Sequence, residues 1–315
     1  MLKRRLSIAV ISCTATVGLL SGVAYALAPL PTGASATRVA QLVGASHKIT
    51  SIPSNLVVPL QDVAHDNTSA YFKVPSTQCP TLTSCVYGST TAKRSIVIFG
   101  DSHAYMWVPG VNPIAVKDKY KLILLYESDC PAASVTYWDN QTHAYATACS
   151  AWRSSAILAL KAARPSVVLL ASLTAGRYSA SGKLFTSKQW QDGLESTISK
   201  LKSKSTKVAV IGDITTMNES TPLCLASYPT AVQKCASAYP NTQPTNANQN
   251  AAEQAAAKNQ GIRYLSTSKW LCTTTCSPIV GNMIVYTNNW HITATYAAFL
   301  SKVMAADLGP LLTAR

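Results

Sequence analysis

The stretch that most limits what this chain can become is Ser95-Ile96-Val97-Ile98-Phe99-Gly100-Asp101-Ser102-His103-Ala104. Its apolar run holds no Gly or Pro and reads as a buried strand. Gly100 ends the run and is free to take the positive φ of a sharp turn, and Ala104-Tyr105-Met106-Trp107 can open a helix. Strand, turn and helix in succession lift the Ser102 hydroxyl out of a sheet edge. They also leave its backbone N–H at a helix N-terminus, where negative charge is favoured. That is the placement a serine nucleophile needs. Gly-Asp-Ser alone is more often a turn with a helix cap; the preceding strand is what points to chemistry.

The rest of the chain alternates. Leu122 to Tyr126 reads as a second strand, Ala151 to Ala163 as a helix ended by Pro165, and Val167 to Ala171 as a third strand. Trp190, Leu194, Ile198 and Leu201 recur at helical spacing, predicting an amphipathic helix over Ser187 to Lys202. Val208 to Ile211 is a fourth strand, Asn246 to Lys258 an Ala-rich helix closed by Gly261, and Ile262 to Leu265 a fifth strand. Such alternation predicts a three-layer α/β/α sandwich with a five-stranded parallel sheet, flavodoxin-like, whose ligands bind beyond the carboxyl ends of the strands. Ser102 stands at the end of the first of them.

A serine nucleophile needs a base, and the useful candidate is far downstream, in Val285-Tyr286-Thr287-Asn288-Asn289-Trp290-His291-Ile292-Thr293. A short strand and a polar turn lead to His291, and Thr293 is placed to cap a following helix. His103 is a poorer base, because neighbours on a tight turn rarely point their side chains together. His47, His65 and His143 read as surface positions.

Gly100-Asp101-Ser102-His103-Ala104 and His291-Ile292-Thr293 resemble the first and last blocks of the SGNH (GDSL-type) hydrolase superfamily. More narrowly, they are similar to the SGNH domains associated with integral-membrane acyltransferases of family 3, which O-acylate cell-surface glycans. The resemblance runs from about Ile52 onward. It implies an O-acyl (acetyl) esterase or acyltransferase acting on cell-envelope polysaccharide, with Ser102 as nucleophile, His291 as base and no cofactor. A membrane acyltransferase supplying acyl groups is the implied partner. Two positions depart from the pattern. The family carries an Asp three residues before its His, and Asn288 stands there; the block that supplies an oxyanion-hole Asn falls at Ala171-Ser172-Leu173-Thr174, which has none. Oxyanion donors are then sought at the Ser102 N–H and at Ser128, Ser172 or Thr174. A backbone carbonyl or Asp139 is a conceivable substitute for the missing acid.

Asn288 decides between readings. An amide that offers its oxygen to the imidazole supports a slow Ser–His pair, whereas one that offers N–H₂ leaves a module that binds glycan or a membrane acyltransferase without turnover. A secreted lipase or thioesterase is a third reading. It requires a broad apolar surface, while the flanking loops are polar: Ser128-Asp129, Trp138-Asp139-Asn140-Gln141 and Asn288-Asn289. Trp138 and Trp290 are candidates to stack on sugar faces or to sit in the core.

Met1 to Ala26 has the layout of an export signal: basic Lys3, Arg4 and Arg5, an apolar Leu6 to Val23, and Ala24-Tyr25-Ala26 before a cleavage point. An N-terminal anchor is the alternative, and Val10-Ile11-Ser12-Cys13 resembles a lipobox. All three put the body of the chain outside the cytoplasm, secreted or at the cell envelope. Residues 27–51, rich in Ala, Ser, Thr and Pro, read as a linker, and 52–315 as the SGNH-like domain. Eight cysteines follow the signal: Cys79, Cys85, Cys130, Cys149, Cys224, Cys235, Cys272 and Cys276. In an exported chain they imply disulfides, for which about 105 connectivities exist. They fall as four close pairs, each inside one predicted connection, so sequential pairing is expected and agrees with the resemblance. Cys272-x-x-x-Cys276 has no second pair or His pair beside it, which argues against a metal. The net charge of +14 is scattered without interleaved aromatics, which excludes a nucleic-acid surface and fits attraction to an anionic envelope.

Overall fold

Successive residues of each strand point to opposite faces of the sheet and are buried on both, and that builds two cores. In the computed structural model, which describes residues 27–75, 78–139, 143–179, 182–241 and 247–313, five parallel strands form the body of one sheet. They are β1 (Ser95–Gly100), β2 (Lys121–Glu127), β3 (Val167–Ala171), β4 (Lys207–Ile211) and β5 (Arg263–Leu265), in the order β2-β1-β3-β4-β5. Ile96, Ile98, Leu122, Leu124, Val167 and Leu169 point to one face, and Val97, Phe99, Ile123, Leu125, Val168 and Leu170 to the other. Period-two side-chain direction makes both sets inevitable once the strands are buried on both sides.

On the first face lie α1 (Ala36–Ala45), α3 (Val108–Lys117), α7 (Ala294–Phe299) and α8 (Ser301–Thr313). The second carries α4 (Thr147–Ala163), α5 (Ser187–Leu201) and α6 (Asn250–Asn259). The short α2 (Ser102–Tyr105) begins directly after the β1 turn. Helix α5 buries Trp190, Leu194, Ile198 and Leu201, the stripe read from spacing, and starts with a capping box between Thr186 and Gln189. The predicted three-layer architecture and its five parallel strands are present.

Two features differ from expectation. The sheet has seven strands, because Gln78–Cys79 and Val86–Gly88 add to its edge, both antiparallel to β2. They are too short to show an alternation. Residues 36–45, read as part of a linker, form helix α1, capped by Ser35 and burying Val39 and Val43 in the first core. Further along, Ile52, Leu56, Val57 and Leu60 pack around Val58, Val63, Ile279 and Ile284. The segment 1–26 expected to be an export signal, with Cys13, and also Asn140, Gln141, Asn246 and Arg315, lie outside the described residues.

Disulfides join Cys79 to Cys85, Cys130 to Cys149, Cys224 to Cys235 and Cys272 to Cys276, the sequential pairing. Such a set fits an oxidising compartment. Among the described residues no helix is long and apolar enough to cross a membrane, and no cluster of ligating side chains suits a metal ion.

Asp66 ties the lead-in to the start of α7. Its carboxylate accepts the Thr295 N–H at 3.0 Å and its carbonyl the Ala294 N–H at 2.9 Å. Burial raises its pKa to about 6, against the lowering effect of the Thr295 and Ala294 hydrogen bonds. Between the ordinary value and 6 the folded state holds the extra proton, so stability declines as pH rises through that window. Asp66→Asn keeps the acceptor and removes the charge. Relative to the parent it is expected to gain up to about 3 kcal/mol between pH 4 and pH 8. Urea denaturation at both pH values checks this; a pH-independent difference rules it out.

Candidate active site

Gly100 has φ +156, and a Cβ there would run into the Ala171 carbonyl oxygen of the neighbouring strand, so the β1 turn closes tightly only with glycine. Asp101 follows, fully buried. Its carboxylate caps α2 by accepting the His103 N–H at 2.9 Å, accepts the Leu173 N–H on both oxygens at 3.0 Å, and pairs with Arg177 Nη2 at 2.9 Å. Arg177 also donates to the carbonyls of Leu173 and Asp129. The turn bearing Ser102 is thus clamped to the loops after β2 and β3.

Ser102 is half-buried at the first position of α2. Some 189 residues further along the chain, His291 reaches it: Nε2 lies 2.9 Å from Ser102 Oγ. His291 sits on a turn closed by the Thr287 N–H donating to its carbonyl at 2.9 Å and by pairing of Tyr286 with Ile292. Thr293 then caps α7 through the Tyr296 N–H. The two blocks recognised in the sequence meet as a serine–histidine pair.

Asn288 is on the far side of the imidazole. Its Oδ1 accepts the backbone N–H of Trp290 at 2.7 Å and of His291 at 2.9 Å. Those two donors fix the amide with its Nδ2 toward the ring, 3.2 Å from Nδ1. An N–H₂ group only donates, so Nδ1 is the acceptor and the neutral ring carries its proton on Nε2, facing Ser102. A general base for Ser102 needs the other tautomer. Although His291 keeps part of its surface along a pocket, enclosure of the ring, together with the charge on His103, pushes its pKa down to about 3. A pocket of about 390 Å³ opens beside His291, walled by Ala64, Asn67, Tyr105, Ser220 and Thr287.

The remaining candidates are dispersed. Thr174 is buried; its hydroxyl donates to Asp213 at 2.9 Å and accepts the Gln249 N–H at 2.8 Å, so it does not face a substrate. The backbone N–H of Thr174 is likewise taken by Asp213. Ser172, also buried, accepts the Ala132 N–H at 2.8 Å. Ser128 is half-buried on the turn after β2. Asp139 lines a separate pocket with Asp129, Tyr137, Trp138 and Arg177. Trp138 stands edge-on to Tyr145, and Trp290 is half-buried on the His291 turn. His47, His65 and His143 are exposed, as read from sequence.

His103, read from sequence as a poorer base than His291, lies beside it. It is buried, its Nδ1 is 2.6 Å from Asp213 Oδ1, and its ring meets that of His291 with centroids 5.3 Å apart. Asp213 and Arg177 were not singled out at all. The available signal was positional: Ile211-Gly212-Asp213 puts an acid at the carboxyl end of a parallel strand, where sites of this fold assemble.

Residues 65–306 match the family described as SGNH domain (fused to AT3 domains). No curated protein matches the chain. Among solved structures, the periplasmic domain of a lipopolysaccharide acetyltransferase from Salmonella ser. Paratyphi A is 22% identical, with a TM-score of 0.49 over 69% of this chain and 83% of that one. A carbohydrate acetylesterase from Sinorhizobium meliloti is 13% identical, with a TM-score of 0.42 over 69% and 99%. A GDSL-like lipase from Bacteroides thetaiotaomicron VPI-5482 is 10% identical, with a TM-score of 0.40 over 69% and 89%. With its family match spanning most of its length, the chain belongs to the SGNH domains that occur fused to AT3 domains.

Proposed function

We propose that this chain is an extracytoplasmic acyl-ester enzyme, a slow O-acyl esterase or acyltransferase of cell-envelope polysaccharide that works beside a membrane acyltransferase. The observation that carries the reading is the 2.9 Å contact between His291 Nε2 and Ser102 Oγ at the carboxyl end of β1. In the forward step Oγ bonds to the ester carbonyl carbon while its proton passes to His291 Nε2. Collapse of the tetrahedral intermediate expels the alcohol, which takes that proton back. The Ser102 N–H at the α2 N-terminus faces the developing oxyanion. Each turnover requires the minor Nδ1–H tautomer of His291, at the expense of the Asn288 contact, and this keeps the rate low. Asn288 meets the ring with its N–H₂ and not its oxygen, which is the arrangement expected of a glycan- or partner-binding module that does not turn over, and it favours that module as the second reading.

A serine-reactive fluorophosphonate probe separates the two. Weak labelling that disappears in Ser102→Ala is expected, together with loss of hydrolysis of small acetyl esters. Absence of labelling in the folded parent chain hands the site to the binding reading.

A further inference from the structure

We infer that His103, held by Asp213, is a positioning residue that acts through His291. A proton on His103 Nε2 blocks proton uptake by His291, and its loss opens the Ser102–His291 pair to acyl transfer. The inference rests on the Ser102 chemistry proposed above and names what regulates it.

Three observations carry it. First, His103 Nδ1 is committed: Asp213 Oδ1 lies 2.6 Å away, both side chains are buried, and a carboxylate only accepts, so Nδ1 keeps its hydrogen in either charge state. Second, Nε2 is therefore the atom that gains or loses a proton, and it is buried with no hydrogen-bond partner among the described residues. Third, the ring lies against His291, centroids 5.3 Å apart and planes at 60°. Two imidazolium rings at that separation repel one another, and the enclosure of His103 limits screening by water. Since His291 must become imidazolium as Ser102 attacks, a charged His103 opposes the step, and a neutral one does not.

The surroundings set which charge His103 holds. From the β4 end comes Asp213, itself fixed by the Thr174 N–H and hydroxyl and by the Ile214 N–H. From its own turn comes Asp101, and from the loop after β3 comes Arg177, which is paired with Asp101. From the turn before α7 comes His291. Behind Asp213 lies Glu253, whose carboxyl burial and the Asp213 charge hold well above the usual carboxylate range. Burial alone would lower the pKa of His103, but the Asp213 carboxylate, with help from Asp101, more than reverses this and raises it. His103 is accordingly charged under conditions where an ordinary histidine is neutral. In an open turnover the proton of Ser102 goes to His291 and on to the leaving alcohol, while His103 stays neutral throughout.

Imidazole ¹⁵N NMR titration of the histidine-labelled full chain tests this without needing activity. In the parent protein the His291 ring resonances are expected to move once near its own pKa and again as His103 titrates. In the double variant His103→Gln, Asp213→Asn, which removes both charges and keeps an amide pair, the second inflection vanishes. The kcat/KM of the parent on p-nitrophenyl acetate rises with pH along the His103 titration, and this limb flattens in the variant. A titrating His103 with no second inflection at His291 overturns the inference, and the parent spectrum decides this even if the variant does not fold. Coupling without ester turnover at any pH counts against the Ser102 reading alone. Turnover without coupling counts against His103 alone.

Discussion

Asn288→Asp is expected to raise kcat/KM on small acetyl esters by about 10²- to 10⁴-fold, since the reverse change in a serine-protease triad lowers turnover by about 10⁴. Little has to move. The asparagine oxygen is already held by the Trp290 and His291 N–H groups, and the same two donors suit one oxygen of an aspartate. The second oxygen then replaces Nδ2, 3.2 Å from His291 Nδ1. There it accepts a hydrogen from the ring, moves the other proton off Nε2, and stabilises the imidazolium formed as Ser102 attacks. A spectroscopic signature accompanies the gain: the His291 pKa climbs from about 3 because a carboxylate favours the charged form. Steady-state kinetics with titration of His291 checks both. An aspartate seen on Nδ1, a raised pKa and unchanged kinetics together defeat the expectation and leave the binding module as the better account.

Arg177→Met is expected to cost about 3–5 kcal/mol of stability, the scale for removing one member of a buried ion pair. Asp101 is fully buried, and its guanidinium partner is 8% exposed at 2.9 Å. Methionine fills much of the volume but leaves the carboxylate without a counter-ion. Burial already raises the Asp101 pKa against the pull of Arg177 and His103, and losing Arg177 raises it further. A raised carboxyl pKa costs stability at high pH and not at low pH, so the deficit shrinks as pH falls toward the unfolded value. Guanidinium denaturation at pH 7 and pH 4 checks size and sign. The double change Asp101→Asn with Arg177→Met is expected to recover part of the loss, because no bare charge remains. A deficit equal at both pH values shows that the carbonyl contacts to Leu173 and Asp129 matter more than the charge.

How much of this was readable beforehand follows from range. The strands were legible because Ile96–Phe99, Val167–Ala171 and Val208–Ile211 are apolar on both faces, and helix α5 because its stripe repeats every three or four residues. Helix α1 was hidden by its composition. Its evidence was there in Ser35 as a cap and in Val39 and Val43 one turn apart, but small residues around them looked like a linker. Of the site, Ser102, His291 and Asn288 were legible because each sits in a local pattern of strand end or turn. The direction of the Asn288 amide was not, since two backbone N–H groups decide it. The His103–Asp213 contact spans 110 residues, and no local pattern announces a pairing at that distance.

On the proposed acyl-ester chemistry, the clamp around Asp101 also dictates where a changed substrate preference can arise. On the β3 flank of Ser102, the Leu173 and Thr174 N–H groups, the Thr174 hydroxyl and the Arg177 guanidinium are all consumed in holding Asp101 and Asp213. A substitution there disturbs the scaffold before it alters recognition. The opposite flank is built differently: Ala64, on a 3-10 turn over Leu60–His65, and Ser220, just before another helix, wall the pocket, and the Ser220 side chain does not cap the helix it precedes. On that chemistry, libraries aimed at Ala64 and Ser220 explore a bulkier acyl group or another alcohol while leaving the turn of Ser102 intact.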